Sequence, residues 1–170
     1  CVIGLGHVGG ALAALLAAAG AELLVSDIDP GRRRANAHWL EPGEVLTAAC
    51  DVLAPCALGG LIGEREVEGL RASIVCGAAN NVLTDGRVAD RLDERGVLYA
   101  PDFIVNAGGL ISVYGELHHL PHERALALAD GIETTMARVI DAAERTGTTP
   151  LRAAGELTSA RLGPARILAA

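Results

Sequence analysis

Glycines 4, 6 and 9 follow a short apolar run, Cys1-Val2-Ile3, and stand just before an Ala/Leu-rich stretch from Ala11 to Ala19. This GxGxxG spacing constrains the chain more than any other feature, because it suits a tight turn that leaves a buried strand and enters a helix with bare backbone amides at its start. Such a turn seats the pyrophosphate of a dinucleotide on helix N-terminal N–H groups. Gly4 permits the turn, Gly6 lets the backbone approach the phosphates, and Gly9 lets the helix pack closely on the sheet. His7 and Val8 complete the loop and count with it as cofactor-binding positions. For His7 two readings stand: one hydrogen bond to the cofactor, or an exposed residue between glycines. The feeding strand is three residues long, so the chain is expected to begin inside its own first element.

The order of elements after the loop supports this reading. Ala11 to Ala19 reads as a helix stopped by Gly20, and Glu22-Leu23-Leu24-Val25-Ser26 as a short buried strand, which completes a βαβ unit. The strand ends at Asp27, where the fingerprint expects a carboxylate for the adenosine ribose. A carboxylate there repels a 2′-phosphate and favours NAD over NADP, while an N-cap on the next helix is the competing role. Pro30 is expected to open a helix through Arg32, Arg33 and Arg34 toward Trp39. Asp51–Ala54, Ser73–Cys76 and Val97–Ala100 read as further parallel strands, each followed by small or polar residues. The fold class expected is α/β, a Rossmann-type doubly wound parallel sheet with C-terminal helices. Apolar spacing from Leu126 to Arg145, the stop at Gly147 and Pro150, and a last stretch from Leu151 to Arg161 supply those helices.

Composition excludes several classes. With 170 residues, 51% of them hydrophobic, the chain suits one domain with a sizeable core. A net charge of −7 and aromatic content of 2% argue against a nucleic-acid surface. Cys1, Cys50, Cys56 and Cys76 have neither zinc-ligand spacing nor a disulfide framework, so buried reduced thiols and no metal are expected. The run from Ala11 to Ala19 is too short to span a bilayer and unlike a signal core. No membrane partner and a cytoplasmic location are expected. All 14 basic residues are Arg, so a reaction that needs a lysine base cannot be completed by these residues alone.

Neutral amides follow two of the strand ends. Asn80 and Asn81 can bind ribose hydroxyls or a carboxamide without placing charge beside a nicotinamide, and a turn role competes. Asn106, followed by Ala107-Gly108-Gly109, has the same chemistry and can hold the nicotinamide or a substrate carboxylate.

Four segments together, Gly4–Gly9, Cys50–Gly60, Gly77–Asn81 and Leu98–Gly109, resemble the Glu/Leu/Phe/Val dehydrogenases, in the branch of the leucine, valine and phenylalanine enzymes. The resemblance implies a C-terminal NAD-binding domain over residues 1–170, with a Rossmann core over about 1–117 and helices over about 118–170, and an N-terminal catalytic domain absent from this chain. It implies reversible NAD-dependent oxidative deamination of an L-amino acid to its 2-oxo acid and ammonia, by catalytic lysines that lie in the other domain. Gly4, Gly6 and Gly9 would then bind the pyrophosphate, Asp27 the adenosine ribose, Ala57 and Asn80 the nicotinamide ribose region, and Asn106 both nicotinamide and substrate. Leu110 and Val113 match positions lining the substrate side-chain pocket, and the full-length enzyme would be a homo-oligomer. Gly115 departs from the family pattern; a helical glycine costs about 1 kcal/mol relative to Ala. A non-catalytic NAD(H)-sensing regulatory module is the alternative, and it needs only the glycine loop and Asp27.

Overall fold

Val2 stands opposite Val25 on one side and Ala54 on the other, and these three residues are almost wholly buried. Their alternates Ile3 and Leu53 point to the opposite face, as the two-residue period of a strand requires. Burial on both faces is why these segments read as unbroken apolar runs. The structure is a computed structural model and describes residues 1–162. Its strands are β1 (Val2–Ile3), β2 (Leu24–Ser26), β3 (His38–Trp39), β4 (Cys50–Pro55), β5 (Ala72–Val75) and β6 (Leu98–Tyr99). They pair in parallel in the order β3-β2-β1-β4-β5-β6, the doubly wound arrangement in which the chain reverses its direction of travel across the sheet between β1 and β4.

Helices cover both faces. On the face of Val2, Val25 and Ala54 lies α1 (His7–Ala18), through Ala13 and with Leu5 and Leu23. On the other, α2 (Glu64–Gly69) and α3 (Arg87–Glu94) bring Val67, Val88 and Leu92 against Leu53 and Val75. After β6 come α4 (Asp102–Val105), α5 (Gly108–Leu117), α6 (His122–Thr146) and α7 (Pro150–Leu162). Val139 and Ala143 of α6 pack on Ala153 and Ala154 of α7, with Ile104 of α4 against them. Gly147 ends α6 at φ 63°, and Thr148 N–H returns to the Ala143 carbonyl at 3.0 Å. Gly115 is buried in α5, where a Cβ would meet Ala125 Cβ of α6 at 3.5 Å, an ordinary contact that leaves room for alanine.

Three expectations need correction. The first helix starts at His7 rather than Ala11, because the glycine loop itself supplies its opening turn. Glu22 and Leu23 lie outside β2, which begins at Leu24. The helix expected from Pro30 to Trp39 is a single 3₁₀ turn, Pro30–Arg32, followed by edge strand β3. Three successive arginines at a helix start oppose its dipole. Pairing wins instead: His38 N–H donates to the Leu23 carbonyl at 2.8 Å and Leu40 N–H to that of Val25 at 2.9 Å. The last helix matches its expected span to within one residue, and residues 163–170 of the expected C-terminal segment lie outside the described residues. No helix among the described residues is long and apolar enough to cross a membrane.

Candidate functional site

Because every strand is parallel, the loops after β1, β2, β4, β5 and β6 leave the same edge of the sheet. Gly4 leaves β1 at φ 87°, a left-handed conformation that glycine adopts freely, and its N–H donates to the Ser26 carbonyl at 2.8 Å. A Cβ on Gly4 would lie 2.8 Å from Ala57 Cβ, and one on Gly9 would lie 2.8 Å from Cys56 Cβ and overlap the Gly4 carbonyl. The loop after β4 is therefore seated directly on the glycine turn. This juxtaposition brings Ala57 to Gly4.

Gly6 caps α1, and among the described residues no side-chain cap bond closes this helix start. The first turn also carries no acidic residue, so its partial positive charge is not neutralised from within. An anion is the natural partner of such an end. His7 and Val8 are exposed on it.

Asp27 is buried, and its carboxylate works locally. Oδ2 accepts the Leu5 N–H at 2.6 Å and lies 3.4 Å from Arg32 Nη1, while Oδ1 accepts the Asp29 N–H at 2.9 Å. Burial pushes the carboxyl up, yet the Asp29 and Leu5 amides and the Arg32 guanidinium outweigh it and hold Asp27 below the usual carboxylate value. The N-cap of the 3₁₀ turn is Asp29, whose Oδ1 accepts the Gly31 N–H at 2.9 Å, so Asp27 does not serve as the cap. Its bond to Leu5 instead ties the end of β2 to the glycine turn.

A second cluster forms across β4, β5 and β6. Ala79 N–H donates to the Pro55 carbonyl at 2.8 Å, and Gly60 N–H to the Asn81 carbonyl at 2.7 Å. A Cβ on Gly59 would stand 2.8 Å from the Asn81 carbonyl oxygen, which is why the two loops pack backbone against backbone. Asn81 holds φ 52°, a conformation asparagine tolerates better than most residues. Asn106, at the end of α4, donates from Nδ2 to Asn80 Oδ1 at 2.6 Å and to the Ala79 carbonyl at 3.4 Å. Two amides separated by 26 positions in sequence thus meet above the sheet edge. Leu110 and Val113 remain exposed on α5, at 73% and 54%.

Asp102 is a buried carboxylate that the sequence pattern does not single out: its Oδ2 accepts the Val82 N–H at 2.9 Å. Burial, with the Asp102 charge beside it, pushes the Tyr99 hydroxyl well above its ordinary range. Burial also raises the Cys56 and Cys76 thiols, consistent with protonated sulfur, and all four cysteines are free. The signal for Asp102 was its place at a helix start directly after a strand.

Comparison with known proteins agrees with this layout. Residues 7–160 match the sequence model of the Glutamate/Leucine/Phenylalanine/Valine dehydrogenase family. The chain is 39% identical to leucine dehydrogenase of Bacillus cereus over 166 residues, covering 95% of this chain and 45% of that protein. It is also 39% identical to valine dehydrogenase of Streptomyces albus, over 97% of this chain and 48% of that one. The crystal structure of L-tryptophan dehydrogenase from Nostoc punctiforme superposes with a TM-score of 0.91 at 37% identity, covering 94% of this chain and 51% of that one. This chain spans about half the length of the relatives it matches. With strand order, loop geometry and the matched residues in agreement, the chain belongs to the Glutamate/Leucine/Phenylalanine/Valine dehydrogenase family.

Proposed function

We propose that this chain is the C-terminal NAD-binding domain of an amino-acid dehydrogenase that deaminates a branched-chain or aromatic L-amino acid reversibly to its 2-oxo acid and ammonia. The observation that carries the reading is the convergence at one sheet edge of an uncapped helix start, the buried Asp27 carboxylate and the Asn80–Asn106 amide pair. The residues fit the cofactor: the cradle at Gly4 and Gly9 has no room for a Cβ, and the start of α1, with no side-chain cap and no acidic residue in its first turn, is open to an anion. Gly4, Gly6, His7, Val8 and Gly9 would hold the pyrophosphate. Asp27 would take the adenosine ribose with the lone-pair capacity that its internal bonds leave. Ala57, Asn80 and Asn106 would hold the nicotinamide end. When bound, NAD supplies the hydride acceptor.

Leu110 and Val113 would form one wall of the substrate side-chain pocket. Their exposure suits a surface completed by a second domain. The chain has no lysine, so on this reading the base belongs to that domain, and the 170 residues alone bind cofactor without turning over substrate. Titration of the purified chain with NADH, followed by the fluorescence of the reduced nicotinamide, tests the proposal. Saturable binding that is lost in Asp27→Ala is expected; a folded chain that leaves NADH fluorescence unchanged would count against it.

A further inference from the structure

Two tethers join α4 to the loop after β5, and they differ in kind. At the start of the helix the Asp102 carboxylate accepts the Val82 N–H at 2.9 Å, with the residue 9% exposed. At its end, Asn106 Nδ2 reaches Asn80 Oδ1 at 2.6 Å in an exposed contact. The helix connects them, since Asn106 N–H donates to the Asp102 carbonyl at 2.9 Å. On the loop side, Val82 is buried and its carbonyl accepts the Ile62 N–H at 3.1 Å, while its neighbour Asn81 receives Gly60 N–H. The result is a closed ring: Asp102, Val82, Asn81, Asn80, Asn106 and back through α4.

A charge-assisted bond out of reach of water is costly to break, because it leaves a buried N–H without a partner. An amide–amide bond at the surface exchanges readily with water or a ligand. The buried tether therefore sets the distance between loop and helix, and the exposed one is free to open toward a guest. Tyr99, whose hydroxyl accepts the Asp102 N–H at 3.4 Å, fixes the carboxylate's own residue from below.

We infer that Asp102 is a positioning residue for the nicotinamide side of the site: it holds Asn80 and Asn106 at the spacing from which their amides pass from each other to the ligand. This rests on the cofactor reading above. It predicts a split between the two halves of the cofactor, because Asp102 bonds the loop after β5 directly and reaches the glycine turn only at one remove, through the loop after β4. The test is titration of the 170-residue chain with NADH and, separately, with ADP, which carries the adenosine and pyrophosphate but lacks the nicotinamide and its ribose. Asp102→Ala is expected to weaken NADH about tenfold while ADP stays within about twofold. Asp102→Asn, whose side-chain oxygen still accepts the Val82 N–H, should restore NADH to near the wild-type value. Equal weakening of both ligands in Asp102→Ala, or none, overturns the inference. So does a folded Asp102→Asn that loses NADH while keeping ADP, and this arm stands even if Asp102→Ala does not fold. A wild-type chain that binds neither ligand sinks the cofactor reading itself; one that binds both leaves Asp102 alone at issue.

Discussion

Asp27 spends most of its hydrogen-bonding capacity on its own chain, and that gives it a structural role besides the ribose-binding one proposed for it. Its bond to Leu5 N–H joins β2 to the glycine turn, so replacing it disturbs the turn before any cofactor is present. Asp27→Asn should lower unfolding stability by about 1–2 kcal/mol at pH 7, read from urea midpoints. The folded-state carboxyl titrates below its ordinary value of 3.8, so the ionised form contributes stability above that value and loses it as pH falls through the folded value. The gap between wild type and Asp27→Asn should therefore close on acidification below pH 3.8; a gap of unchanged size at pH 3 would contradict the account. Gly4 is constrained more simply, by φ 87° and by Ala57. Gly4→Ala should cost about 1–2 kcal/mol from the left-handed backbone alone, with weaker NADH binding in the same preparation.

Among the elements, the helices that were legible were those whose periodicity ran longest. Gly147 and Pro150 mark the turn between α6 and α7 in sequence and stand at that turn in the structure. Gly147→Ala places a Cβ at φ 63° and should destabilise by about 1 kcal/mol in thermal or chemical unfolding. The Arg152–Asp90 ion pair links α7 to α3 at 2.7 Å, but its side chains are 64% and 33% exposed. Arg152→Ala should therefore shift stability by less than about 1 kcal/mol, with any loss smaller still at high salt. A proline and three arginines look like a helix start, yet Pro30 opens only a 3₁₀ turn. Pairing partners for His38 and Leu40 come from β2, and local sequence carries no trace of them.

For the whole molecule, two apolar layers clamp one sheet, and the site rides on its carboxyl edge. Leu92, fully buried beside Val67 and Val75, is the kind of residue whose truncation is felt throughout; Leu92→Ala should cost about 2–5 kcal/mol. NADH at a hundred times its dissociation constant should add about 2.7 kcal/mol, seen as a raised melting temperature that Asp27→Ala abolishes. The parallel sheet, the glycine turn and the small or polar strand-end loops were written in the sequence, because turn chemistry and unbroken apolar runs are local signals. The tertiary structure alone decided that Asp27 fastens Leu5, that Asn80 meets Asn106, and that Asp102 anchors Val82. Each of those contacts joins residues 20 or more positions apart, and a hydrogen bond at that separation exists only once the strands between its partners have paired and brought their ends to one edge.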